Sequence, residues 1–159
     1  MSDGINSRRR NPAYFPDVEL PGSVTATTDL AAALDGADYL VLSIPAQSLR
    51  ANLTSWAPHI AHGTVIVSAM KGIEAQTGMR ASEVISKVAD VPTGRVAVLS
   101  GPNLAREVMA GRPAAVAIAC PDEAIARRLQ VPLGRRAARG RLDPGGVPVP
   151  AVGSPPGHE

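Results

Sequence analysis

A mostly parallel, doubly wound α/β sheet is the fold that this 159-residue sequence predicts, and three observations predict it. Short apolar runs of strand length, DYLVLSI, VIVSA, VAVL and AAVAIA, alternate with stretches whose apolar residues recur at helical spacing. The first of these runs is near-continuous, the pattern of a strand covered on both faces. Proline or glycine follows most runs closely, as Pro45, Gly72 and Gly101-Pro102 do, so each strand ends in a turn that leads to a helix.

The elements follow in order. Residues 1–10, MSDGINSRRR, are polar and aperiodic and read as a frayed start or the remnant of a helix end, with Arg8, Arg9 and Arg10 a solvated charge run. Asn11-Pro12, Phe15-Pro16 and Pro21-Gly22 impose extended and turn backbone, which puts Tyr14 on a loop. Residues 24–26 are expected as a short strand, after which Thr28 caps a helix over 29–34 that Gly36 ends. The run 38–44 is a strand stopped by Pro45, and Leu49, Leu53 and Trp56 then mark an amphipathic helix over 46–56 closed by Pro58. The pattern repeats with strand 65–69, the Lys71-Gly72 turn and a helix over 81–89 that carries Val84, Ile85 and Val88 on one face. Strand 95–99, a short helix over 104–110, strand 114–119 and a helix through Ala126 and Leu129 complete the series.

Composition bounds the rest. Aromatic residues make up only 3% of the chain, so the core is aliphatic. A single cysteine, Cys120, forms no internal disulfide, and no signal pattern or bilayer-length apolar run is present, so a cytoplasmic location without membrane insertion is expected. The net charge of +2 hides an uneven distribution: residues 1–130 hold 12 basic and 12 acidic side chains, and the excess lies in Arg135, Arg136, Arg139 and Arg141. A nucleic-acid partner is not expected, because no basic face with interleaved aromatics exists. Residues 131–159 contain six glycines and six prolines without periodicity and are expected to be a disordered tail. His59 and His62 read as solvated loop residues, Cys120 as a small buried residue, and no metal site is expected.

Three strand-end loops should share one rim: 44–47, 69–72 and 100–105. In open parallel sheets ligands bind outside the carboxyl ends of the strands. There Lys71 offers a full positive charge, and Gly101 lets a ligand approach the backbone ahead of a helix whose first amides point outward. A phosphate or a polarised carbonyl suits such a place. By itself each loop reads as an ordinary turn; the Lys71-Gly72 loop and the 100–105 loop together carry the reading.

The order NPAYFP, ELP, ADYLVLSIPAQSLR, SAMKGIEAQTG, SEVI, SGPNLAREV and GRPAAVAIA resembles the amino-terminal domain of bacterial NAD(P)-dependent glycerol-3-phosphate dehydrogenase, from about Ile5 to Gln130. The resemblance implies a Rossmann-like domain over 1–130 that lacks its first strands and the family's carboxyl-terminal helical domain. It implies an enzyme that interconverts dihydroxyacetone phosphate and sn-glycerol 3-phosphate with NAD or NADP, for glycerophospholipid synthesis. By the same resemblance Tyr14, Lys71 and Ala105 face the cofactor, and Lys71, Gly101 and Asn103 face the substrate. Many relatives carry threonine or serine where this chain has Asn103, whose amide still hydrogen-bonds.

Two departures set the expectation for activity. No GxGxxG-type turn occurs in the chain, and the family's proton-transferring lysine has no counterpart here, so no catalytic residue is assigned and the chain is expected to be inactive as it stands. The alternative is a non-catalytic nucleotide-binding or subunit-pairing module, with a homodimer as a possible form.

Overall fold

A computed structural model of the chain describes residues 2–101, 104–110 and 116–137. Four strands, β1 (Tyr39–Leu42), β2 (Val65–Ser68), β3 (Val96–Ser100) and β4 (Ala117–Ala119), form one sheet in the order β1-β2-β3-β4. The first three run parallel, with Leu42 level with Ser68 and Ser68 level with Val98. β4 runs antiparallel to β3, pairing Ser100 with Ala117. The sheet is therefore mixed, parallel where the rim was expected and antiparallel at one edge.

Among the described residues six α-helices accompany the strands: α1 (Ser2–Arg8), α2 (Leu30–Leu34), α3 (Leu49–Trp56), α4 (Ala81–Val88), α5 (Ala105–Met109) and α6 (Glu123–Ala137). β2 shows why helices cover both faces. Its side chains alternate sides, yet all four are buried. Ile66 packs with Leu49 and Leu53 of α3 and with Val84 and Ile85 of α4, while Val65 and Val67 pack with Ala126 and Leu129 of α6. A continuous apolar run is what such a strand requires.

β1 departs from the expectation of a strand buried on both sides, because Val41 is 52% exposed. The cause is position: β1 is the edge of the sheet, and α6 covers the inner strands on that face.

The expected strand at 24–26 does not form. Ala26 donates its N–H to Asn6 Oδ1 at 2.8 Å and its carbonyl accepts from Asn6 Nδ2 at 2.8 Å, so one side-chain amide satisfies the groups a neighbouring strand would have paired. The cap of α2 is Asp29 rather than Thr28, its side chain accepting from Ala32 N at 3.1 Å, while Thr27 Oγ1 accepts from Asp29 N. The Arg8 to Arg10 run is only partly a solvated one: the Arg9 guanidinium donates to the carbonyls of Leu20 and Pro21, and Arg10 donates to Pro16, which folds the following loop back on them.

α6 carries helical backbone past the expected boundary at Gln130 as far as Ala137. Once nucleated, a helix gains one bond for each residue added, and the single proline in that stretch, Pro132, forgoes one without stopping it. The expectation for the rest of the tail, 138–159, falls outside the described residues.

Candidate functional site

The register of the parallel strands brings the carboxyl ends of β1 and β2 level with Val98, just short of the end of β3 at Ser100, and the loops that follow meet along one rim. The loop after β2 begins at Lys71 and Gly72. Gly72 has φ +93°, where L side chains are strained, and this reversal turns the chain out of the sheet directly after the lysine. Lys71 is exposed, and its Nζ donates to Ser100 Oγ at 3.1 Å across the gap between the ends of β2 and β3. Gly101 follows Ser100 with φ +153°. The two loops expected to form one site are thus joined by a side-chain hydrogen bond.

The loop after β1 holds the same place from the other side. Gln47 donates from Nε2 to Ile73 O at 2.9 Å and accepts from Ala75 N at 3.0 Å, so one amide clasps the backbone of the β2 loop. Three residues on, Arg50 of α3 meets Glu74 in a two-pronged ion pair, Nε to Oε1 and Nη2 to Oε2, each 2.8 Å. The Thr77 hydroxyl also donates to Glu74 Oε2. The Arg50 guanidinium, and after it Thr77, holds the Glu74 carboxyl down to about 2, and Glu74 in turn raises Arg50 above its ordinary value. Glu74 is only 7% exposed, so its carboxylate sits under the rim, while the Arg50 side chain is partly exposed.

The charges then sort themselves. Among the described residues Glu74 is occupied by Arg50, and Glu83 by Arg80, whose N–H it also accepts at the first turn of α4. No carboxylate pairs with Lys71 among the described residues, and its partner is the neutral Ser100 hydroxyl. A cation at a strand end, with no carboxylate partner among the described residues and beside Gly72 and Gly101, can receive a phosphate or steady a developing oxyanion.

The other expected site residues are distributed unevenly. Ala105 begins α5 and is exposed, but α5 has only five residues, so the helix offers little dipole. Asn103 lies outside the described residues. Tyr14 is 67% exposed on the 11–16 loop, where its N–H bonds to Asn11 O at 3.3 Å within that loop. Cys120 is buried, donates to Gly94 O at 3.2 Å and has its thiol pushed up by burial, which disfavours the thiolate.

Sequence reasoning missed Gln47, Arg50 and Glu74 as a unit. The partner of Glu74, Arg50, lies on the helix before it. A polar residue inside an otherwise turn-like KGIE stretch was the available signal, but its partner lies 24 residues earlier and no periodicity links the two. Ser68 is a further surprise: it ends β2, is buried, and its Oγ makes no hydrogen bond among the described residues.

Comparison with known proteins gives the arrangement its relatives. Residues 1–126 match the family model described as the NAD-dependent glycerol-3-phosphate dehydrogenase N-terminus. The glycerol-3-phosphate dehydrogenase (NAD(P)+) of Streptomyces coelicolor is 55% identical over 130 residues, covering 82% of this chain and 39% of the relative. That of Corynebacterium urealyticum is also 55% identical over 130 residues, with the same coverage. The chain thus spans about two fifths of the length of these curated relatives. Among solved structures, glycerol-3-phosphate dehydrogenase from Coxiella burnetii superposes with a TM-score of 0.76 at 28% identity, over 88% of this chain and 41% of that one. The Plasmodium falciparum enzyme gives 0.76 at 27%, over 94% and 38%. The sheet is accordingly Rossmann-like, and the chain belongs to the family of the NAD-dependent glycerol-3-phosphate dehydrogenase N-terminus.

Proposed function

We propose that this chain supplies the strand-end half of a glycerol-3-phosphate dehydrogenase site, holding NAD or NADP and dihydroxyacetone phosphate or sn-glycerol 3-phosphate at the rim around Lys71. One observation carries the reading: the Lys71 ammonium bridges the ends of β2 and β3 through Ser100 and has no carboxylate partner among the described residues. A phosphate-bearing ligand fits there, because the turn at Gly72 puts no side chain in its way and a Cβ built on Gly72 would approach only Ala46 Cβ, at 4.0 Å. The nicotinamide, when bound, supplies or accepts the hydride at the substrate's central carbon. Lys71 binds the phosphate or balances charge developing on the substrate oxygen. Gly101 and Asn103 are proposed on the substrate side, and Ala105 and Tyr14 on the cofactor side, following the resemblance. A cytoplasmic role in supplying glycerol phosphate for glycerophospholipids belongs to the same proposal.

Calorimetric titration of the intact chain with NADPH and with dihydroxyacetone phosphate tests this. Saturable heat is expected, with affinity falling about 10- to 100-fold in Lys71→Ala, the range for a charge-assisted hydrogen bond. Flat titrations with both ligands would overturn the reading.

A second reading, a non-catalytic subunit-pairing module, is favoured by the outer edge of β1, with Val41 exposed beside it. A homodimer formed there should dissociate in Val41→Lys, as sedimentation would show.

A further inference from the structure

We infer that Arg50 is a positioning residue for the rim: by binding both oxygens of Glu74 it keeps that carboxylate from neutralising Lys71, and so leaves a net positive charge for an anionic ligand. The inference rests on the proposed anion site at Lys71 and adds what keeps that site open.

The argument starts from the loop itself. Glu74 follows Lys71 by three residues in the same turn-rich connector, and Gly78 N–H bonds to Glu74 O while Glu74 N–H bonds to Met79 O, which folds the connector back on itself. A lysine stem is flexible, and a carboxylate this close in sequence is its natural partner. The structure shows a different pairing. Both Glu74 oxygens accept from Arg50, reached from α3, and Oε2 also accepts from Thr77, while Lys71 turns to Ser100. Arginine suits this task because its planar fork engages both oxygens at once, whereas a lysine would leave one free. The charges of Arg50, Glu74 and Lys71 then sum to one positive unit, carried at Lys71. Without Arg50 they sum to zero, with the negative charge beneath the rim.

Arg50 is itself held in place. It stands on α3 between Leu49 and Leu53, both at most 1% exposed, and Gln47 clasps the connector independently at Ile73 and Ala75. Loss of the Arg50 charge should therefore unmask Glu74 without releasing the loop.

The test uses the intact chain titrated with dihydroxyacetone phosphate and, as a bare anion, inorganic phosphate. Arg50→Gln should weaken both by about three- to tenfold at low salt, as expected for one unit charge several ångströms away, and by less at 1 M salt, where screening acts within about 3 Å. Arg50→Gln/Glu74→Gln, which removes both charges, should return affinity to within about twofold of the parent. Glu74→Gln by itself uncovers Arg50 and should tighten binding, which keeps the inference testable should Arg50→Gln fail to fold. Affinity unchanged in Arg50→Gln, a double variant as weak as the single, or Glu74→Gln binding no tighter than the parent would each overturn it.

A ligand-free readout separates this inference from the function on which it rests. The sequence contains two lysines, Lys71 and Lys87, so amine labelling followed by mass spectrometry gives Lys71 reactivity against an internal standard on α4. An unmasked carboxylate favours the protonated, unreactive ammonium, so the Lys71 to Lys87 ratio should fall in Arg50→Gln and recover in the double variant. A fall and recovery without ligand binding by the parent would support the masking and refute the anion site. Binding by the parent with an unmoved ratio would refute the masking alone.

Discussion

The connector after β2, residues 71–80, and the segment from 9 to 29 are both turn-rich and polar, yet they are held in different ways. The connector is gripped from outside. Gln47 and Arg50 reach it from the loop and helix after β1, and Ser100 meets it from the end of β3. Those tethers stand on elements seated in the core, since Leu49 and Leu53 of α3 are fully buried. The earlier segment is held mainly by its own backbone and by α1 and the arginines that follow it: Asn6 to Ala26, Arg9 to Leu20 and Pro21, Arg10 to Pro16. It leaves Tyr14 and Val24 exposed. A loop can aim a charge when its anchors are fixed by packing independent of the loop; otherwise it only covers surface.

Substitutions can break that contrast, the largest effect first. Leu53→Ala removes a fully buried side chain from under the clasp and should cost about 2–5 kcal/mol, measured by urea unfolding, with the connector loosened as well. Gly72→Ala imposes a side chain on a φ of +93° and should cost about 1–3 kcal/mol; it should also change the labelling of Lys71 relative to Lys87, which a purely local strain would leave alone. Asn6→Ala removes two hydrogen bonds from the earlier segment and should cost about 1 kcal/mol with no change in Lys71 labelling. If Asn6→Ala moved Lys71 as much as Gly72→Ala does, the contrast would fail.

Acid provides the smallest effect over the ordinary range. Glu74 has its folded value depressed to about 2 against an ordinary 4.5, so the stability it contributes is present above the ordinary value and is lost as pH falls through the folded one. Glu83, also lowered by Arg80, acts in the same direction. Unfolding midpoints should therefore be insensitive to these pairs from about pH 6 to 8 and fall as pH drops from about 5 toward 2. Glu74→Gln should make that acid-side slope shallower, and an unchanged slope would separate Glu74 from it.

Much of the fold was legible because burial has a period. The run from Val65 to Ser68 is apolar until its last residue and lies in the middle of the sheet, and Val84 with Ile85 marks the face that α4 buries. Lys71-Gly72 was legible as the end of a strand because a positive φ after a strand calls for glycine. The antiparallel sense of β4, the exposed edge at Val41 and the extension of α6 past Gln130 were not legible. Direction and edge position depend on which strands end up as neighbours, and a three-residue strand has too few side chains to signal either.

The sequence by itself determined the alternation of strands and helices, the aliphatic core and a lone lysine at a strand end, because these follow from local periodicity and backbone preference. Only the tertiary structure decided which groups meet: Lys71 with Ser100, Arg50 with Glu74, Gln47 with Ile73 and Ala75, Asn6 with Ala26. The physical reason is that hydrogen bonds and ion pairs act over about 3 Å, while these partners lie some twenty to thirty residues apart in the chain. Their encounter is set by the packing of α3 and the register of β1, β2 and β3. That packing gives a lysine, an arginine and a glutamate of unremarkable spacing their separate partners at the rim.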